Sequence, residues 1–200
     1  ILGASVPVQR ILTGLYSLHY TSYSSTGWQD KVIVSSHTGG GVPFLVSSVM
    51  DTNNKIHMVY LEYGTDGGTS VSNLKYSSST AGTGLFSSTT LRTTGLYPPS
   101  SSDVEIALDN SNNPYVIYKG TWTGVYYYNG SSWSLIYNYE STTKNMSACS
   151  AAYDLYSTQN NELRKWHNGT YVDGWYVSDS ADSNGTYNAS MCMDKNGYPV

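Results

Sequence analysis

Charge is scarce in this chain. Only 12% of its 200 residues are Asp, Glu, Lys or Arg, and ten basic against fourteen acidic side chains leave a formal net charge of −4. A nucleic-acid binder needs a basic face to neutralise phosphates, and none is encoded. Nucleic acid is therefore not an expected partner. Long apolar runs are missing too: no stretch approaches the roughly 18–20 residues of a membrane-spanning helix, so no membrane span is expected. The helix formers Ala, Leu, Glu and Lys are sparse. There are two cysteines, Cys149 and Cys192, with no Cys-x-x-Cys and no accompanying His pair. That speaks against zinc or redox chemistry. Neither a Gly-x-Ser-x-Gly elbow nor a His-Glu-x-x-His helix is present. The Gly39–Gly41 run lacks the lysine that a phosphate loop requires. Sequence thus names no catalytic residue, no metal ligand and no cofactor.

What is abundant is β-forming and aromatic. Twenty Tyr and five Trp stand among many Ser, Thr, Asn and Gly. β-Branched and aromatic side chains fit a pleated, half-buried surface, so the composition predicts an all-β protein. A surface of hydroxyls and phenols with little charge suits a secreted or cell-surface setting.

A register recurs three times. Val46-Ser-Ser-Val-Met-Asp51, Val104-Glu-Ile-Ala-Leu-Asp109 and Ala189-Ser-Met-Cys-Met-Asp194 each end a short apolar segment in Asp, and a second segment opens five residues later, at Ile56, Pro114 and Pro199. The first strand alternates large apolar with small or polar residues. The second is apolar on both faces in Ile56-His-Met-Val-Tyr-Leu61 and Pro114-Tyr-Val-Ile-Tyr118, and must be covered on both sides. Third and fourth strands follow, as in Gly124–Asn129 and Ser134–Tyr137, joined by Gly-containing polar turns that read as hairpins. A weaker copy starts at Met146-Ser-Ala-Cys-Ser-Ala151. With Asp51, Asp109, Ala151 and Asp194 as equivalent points, the spacings are 58, 42 and 43 residues. Four strands in about 40–50 residues is the unit of a β-propeller blade.

The expected architecture is a partial β-propeller of about four blades of four antiparallel strands. It forms one domain over 1–200, with a partial blade at 1–43, blades at 44–95, 96–143 and 144–182, and inner strands of another at 183–200. A β-sandwich is the alternative. The last copy reaches Pro199-Val200, two residues into a buried strand, so a piece of a longer polypeptide is expected, although closure into a four-bladed ring is also open.

Ile106-Ala-Leu-Asp109-Asn-Ser-Asn-Asn-Pro-Tyr-Val-Ile-Tyr118, leading to Tyr126-Tyr-Tyr-Asn-Gly-Ser-Ser-Trp133, resembles the blade repeat of secreted propellers of the broad sialidase-like group. The resemblance implies architecture rather than activity. The Asp boxes of that group are not intact here, and Arg10, Arg92 and Arg164 match no arginine triad.

Individual residues weigh toward structure. Asp51 and Asp109 suit turns, where a carboxylate bonds the local backbone, better than calcium, which needs alternating oxygen ligands and a Gly at the sixth position. Cys149 and Cys192 occupy equivalent places in neighbouring repeats, too far apart for a disulfide, and two free thiols are expected. His57 reads as a packed core residue. Five Asn-x-Ser/Thr sequons, at Asn129, Asn145, Asn168, Asn184 and Asn188, allow glycosylation. The functional expectation rests on rim loops that set aromatic beside polar groups: Glu62–Gly68, Lys119–Gly124 and Gly95–Pro99. Trp122, Tyr97, Glu62 and His37 are the expected binding residues. The expected role is an extracellular binding or scaffold module that contacts a glycan or another extracellular protein. A fragment of a sialidase-like glycan hydrolase and a structural fibre or surface protein are the alternatives.

Overall fold

A computed structural model describes residues 6–12, 15–24, 27–35, 42–66, 69–80, 86–94, 103–120, 123–139, 146–151, 154–159 and 162–176. Every regular element among them is a strand. The first sheet joins β1 (Val6–Leu12), β2 (Leu15–Ser24) and β3 (Gly27–Ser35). The second joins β4 (Val42–Met50), β5 (Ile56–Asp66), β6 (Thr69–Ser79) and β7 (Phe86–Thr94). The third is β8 (Asp103–Leu108), β9 (Pro114–Lys119), β10 (Thr123–Tyr128) and β11 (Trp133–Tyr139). The fourth is β12 (Met146–Ala151), β13 (Asp154–Gln159), β14 (Glu162–His167) and β15 (Thr170–Tyr176).

In each sheet a strand lies beside its sequence neighbours, and no described strand crosses into another sheet. These are blades, not the exchanged layers of a sandwich. The chain is a partial β-propeller, as the repeat predicts. The first sheet contains one strand more than the apolar pattern picks out, because β1 (Val-Pro-Val-Gln-Arg-Ile-Leu) mixes polar residues into its run.

One irregularity recurs in the last strand pair of every sheet. The register slips between Leu18 and His19, Leu74 and Lys75, Val125 and Tyr126, and Lys165 and Trp166. In each case one residue of the outer strand is passed over: Ile33, Leu91, Ile136 and Val172 respectively. Such a bulge raises the local twist. Its recurrence makes β2–β3 the counterpart of the last pair in the complete sheets, so β1–β3 correspond to strands two to four of a blade.

The chain forms two compact units. Ile1–Ser48 with Asn53–Tyr97 is the first, and Val49–Thr52 with Pro98–Val200 is the second. In the first, Leu18 of β2 packs with Ile56, Met58 and Tyr60 of β5, and Tyr20, Val46 and Phe86 close the cluster. Tyr20 and Phe86 meet with ring centroids 5.7 Å apart. His57 is buried as expected, its Nδ1 2.6 Å from the Tyr76 hydroxyl. In the second unit, Ala107, Tyr115, Ile117, Val125 and Tyr127 face Leu155 and Trp166 of the following sheet. Every residue of β9 is buried, as a strand apolar on both faces requires.

The Asp109 corner is a three-residue hairpin loop. Asn112 N–H donates to the Asp109 carbonyl at 2.9 Å, and Asp109 N–H donates to the Asn113 carbonyl at 3.0 Å. Asn112 closes it in the left-handed region at φ 63°, and Asn54, its counterpart three residues after Asp51, has φ 59°. Asn tolerates that conformation better than most residues. The Asp109 carboxylate is fully engaged. One oxygen accepts from the Ser111 and Asn113 N–H groups, both at 2.8 Å. The other accepts from Asn113 Nδ2 at 3.0 Å and the Tyr127 hydroxyl at 3.1 Å. The turn chemistry expected of this Asp is what it performs.

Candidate functional site

The blade end opposite the Asp corners is where sequence places the rim. There β5 and β6 each run 11 residues, while β9 and β10 have 6 each. The β5–β6 ladder continues past Glu62↔Asn73 through Tyr63↔Ser72, Gly64↔Val71, Thr65↔Ser70 and Asp66↔Thr69. At about 3.3 Å per residue, those four pairs carry the hairpin roughly 13 Å further. Among the described residues β7 accompanies β6 only from Ser72 to Ser79, so the β6 side of the arm runs past the end of β7. The sequence of the arm, residues 63–72, is rich in Gly, Thr and Ser with a single Asp.

Glu62 sits at the root of this arm, buried and ion-paired with Lys75 of β6. The pair is diagonal across the ladder, since Lys75 stands opposite Tyr60. Thr93 of β7 adds a second tie, its hydroxyl donating to Asn73 Oδ1 at 2.8 Å. Burial, with a smaller push from the Glu62 charge, holds the Tyr60 hydroxyl above its ordinary pKa, against the opposing hydrogen bond to Ser88. Tyr60 thus stays neutral beside the pair. A chain of hydroxyls runs from Tyr60 to Ser88 at 3.3 Å and from Ser88 to Ser77 at 3.1 Å. An ion pair and hydrogen bonds thus tie the root of the arm to its neighbouring strands.

The equivalent corner in the second unit holds Lys119 opposite Asp103. Lys119 is buried, and its burial lowers the pKa of its ammonium while Asp103 partly offsets that fall. Thr123 beside it is fully buried. Gly120 follows β9, and a Cβ there would run into the Tyr118 hydroxyl.

Of the four residues expected to bind, Glu62 is therefore a buried, paired root residue. Trp122, Tyr97 and His37 lie outside the described residues, as do Cys192 and Asp194. Cys149 lies in β12, opposite Tyr156. No three His, Cys, Asp or Glu side chains converge on one point among the described residues. The arm itself was not expected from sequence. Its signal was the 58-residue spacing against 42 and 43 in the later repeats, with ten of the extra residues in β5 and β6.

No protein-family model and no curated protein sequence matches the chain. Solved structures do. An exo-β-1,3-galactanase variant from Phanerochaete chrysosporium, with β-1,3-galactotriose, is 10% identical over 88% of this chain and 50% of its own, with a TM-score of 0.45. The same enzyme with galactose covers 90% of this chain and 50% of its own at 10% identity and a TM-score of 0.41. The extracellular domain of a hybrid two-component system from B. thetaiotaomicron is 13% identical, covering 99% of this chain and 37% of that one, with a TM-score of 0.27. The chain spans half the length of the galactanase chains. No described helix is long and apolar enough to cross a membrane.

Proposed function

We propose that this chain is the ligand-contacting part of an extracellular β-propeller module of the sialidase-like group, and that its ligand is a glycan. The β5–β6 arm supports this reading. One hairpin is drawn out beyond its root while the hairpins of the later repeats stay short, and projecting loops on a rigid sheet are where binding residues concentrate. The arm supplies contacts with Glu62 fixing its root, and Trp122, Tyr97 and His37 are proposed as further side chains that stack on or bond to sugar. Aromatic faces take the C–H face of a sugar ring, and hydroxyls and amides take its rim.

The test is a glycan array probed with the 200-residue chain and with a shortened arm, in which residues 63–72 are replaced by Asn-Gly. The two-residue turn suits a hairpin, and short hairpins in β9–β10 and β13–β14 show that such a blade folds. The chain should bind a defined glycan set, and the shortened chain should lose it with its thermal unfolding retained. An array with no hits overturns the reading. So does binding unchanged by shortening, or release of sugar from the bound oligosaccharide, which is an enzyme's behaviour. Binding of an extracellular protein without glycan overturns it in favour of a scaffold.

A further inference from the structure

A depression of about 370 Å³ opens at the other end of the blades, beside the Asp corners. It is lined by Val49–Thr52 and Ile106–Asp109 together with Asn110 and Asn112, all of the second unit. Its size falls at the lower end of small-molecule sites, about 300–1,000 Å³. We infer that this depression is a second binding site, distinct from the arm, and that it takes a neutral polyhydroxylated ring, a single pyranose unit.

The lining has two characters. Val49, Met50, Ile106, Ala107 and Leu108 form an apolar side, and Met50 is 41% exposed there. Thr52, Asn110 and Asn112 form a polar side. A pyranose has the matching pair of surfaces, an apolar C–H face and a hydroxyl rim. The polar side is held in place before any ligand arrives. Asn112 Nδ2 donates to the Thr52 hydroxyl at 2.9 Å, and Thr52 N–H donates to Asn112 Oδ1 at 3.4 Å. This reciprocal pair locks the two turns together, and preorganised walls lower the ordering cost of binding.

The charges decide the ligand class. The lining contains two carboxylates, Asp51 and Asp109, both buried, and no Lys or Arg. An anion such as phosphate would meet two like charges without a cation. A divalent cation needs free carboxylate oxygens, and both oxygens of Asp109 are already taken by four donors. A neutral ligand is left. Asn110 is the group to receive it: it is exposed at the first position of the turn, and its amide has no hydrogen bond among the described residues. An amide both donates and accepts, which suits a pair of adjacent sugar hydroxyls.

Amide spectra of the isotopically labelled 200-residue chain, titrated with methyl glucoside, methyl mannoside and methyl galactoside, test the site. Calcium chloride and inorganic phosphate are run as separate arms. At least one glycoside should shift the Met50, Thr52, Leu108 and Asn110 amides saturably at millimolar concentration. Asn110→Ala should weaken that binding about fivefold or more, the effect of one lost hydrogen bond, and Met50→Ala should also weaken it. Neither substitution removes a bond that holds the turn, so the remaining spectrum should be unchanged. The shortened-arm chain should bind the glycoside as the full chain does, which separates this site from the arm. No shift with any glycoside overturns the inference. So do equal affinities in both variants, or shifts at these amides with calcium or phosphate alone.

Discussion

At the residue scale, the second unit turns on a short relay. Gly169 N–H donates to the Tyr115 hydroxyl at 3.0 Å, the Tyr115 and Tyr127 rings lie 4.5 Å apart, and Tyr127 donates to Asp109. Burial, followed by the Asp109 charge and hydrogen bond, pushes the Tyr127 pKa up to about 12 from 10.0. The sign follows from linkage. Below pH 10 the hydroxyl is protonated in both states and its contribution is complete. Above pH 10 the unfolded chain releases the proton first, so stability falls as pH rises, and the loss is complete once the folded group ionises near pH 12. Tyr127 accounts for a change on the order of 2 kcal/mol, and Tyr60, also raised, acts in the same direction. Denaturant unfolding of the chain and of Tyr127→Phe across this range should show a shallower alkaline decline in the variant. Equal slopes would assign the decline to other tyrosines. The Asp109 turn was legible in the sequence because Asx bonding is local. Its bond to Tyr127, 18 residues away, was not, since only the folded ladder brings the two together.

At the element scale, the β14–β15 hairpin is fitted to the preceding sheet. Asn168 and Gly169 both have positive φ, 47° and 77°, as a tight hairpin turn requires. A Cβ at Gly169 would lie 2.6 Å from Tyr127 Cδ1. Gly169→Ala therefore combines a left-handed backbone penalty with a clash. It should cost about 2–4 kcal/mol and lower Tm by roughly 5–15 °C. Differential scanning calorimetry reads this, and an unchanged Tm would mean that the turn yields without disturbing Tyr127. Asn-Gly is a hairpin signal, but sequence marks Asn168 only as a sequon. The second duty of Gly169, making room for an aromatic ring of another sheet, was not legible there, because turn propensity says nothing of what the turn lands on. The strands themselves were legible from their two-residue period and doubly apolar second strands. The bulges were not: Ile33, Leu91, Ile136 and Val172 continue the strand pattern as any β-former would, and only the ladder shows them passed over.

At the scale of the whole molecule, low charge bears on the proposed binding of a neutral glycan. With 24 ionisable Asp, Glu, Lys and Arg side chains in 200 residues and a net charge of −4, attraction to ligands does not come from long-range fields, which salt screens within about 10 Å. Binding to neutral glycans should be nearly unchanged when the array is repeated at high ionic strength. A signal that collapses in salt would mean an ionic ligand instead. The repeat length showed the blade architecture, but the residues expected at the rim, Trp122, Tyr97, Glu62 and His37, stand at sequence positions that carry no periodic signal. The recurring slip in the last hairpin has one more consequence. An outermost strand leaves a row of backbone groups unpaired, and in a straight, flat strand of Ser, Thr and Ile that row invites another chain to add on. A kink in every outermost hairpin breaks that template. In a sequence this poor in charged gatekeepers, the bulges of the described sheets supply by backbone shape a protection against edge-to-edge pairing that charged edge residues supply elsewhere.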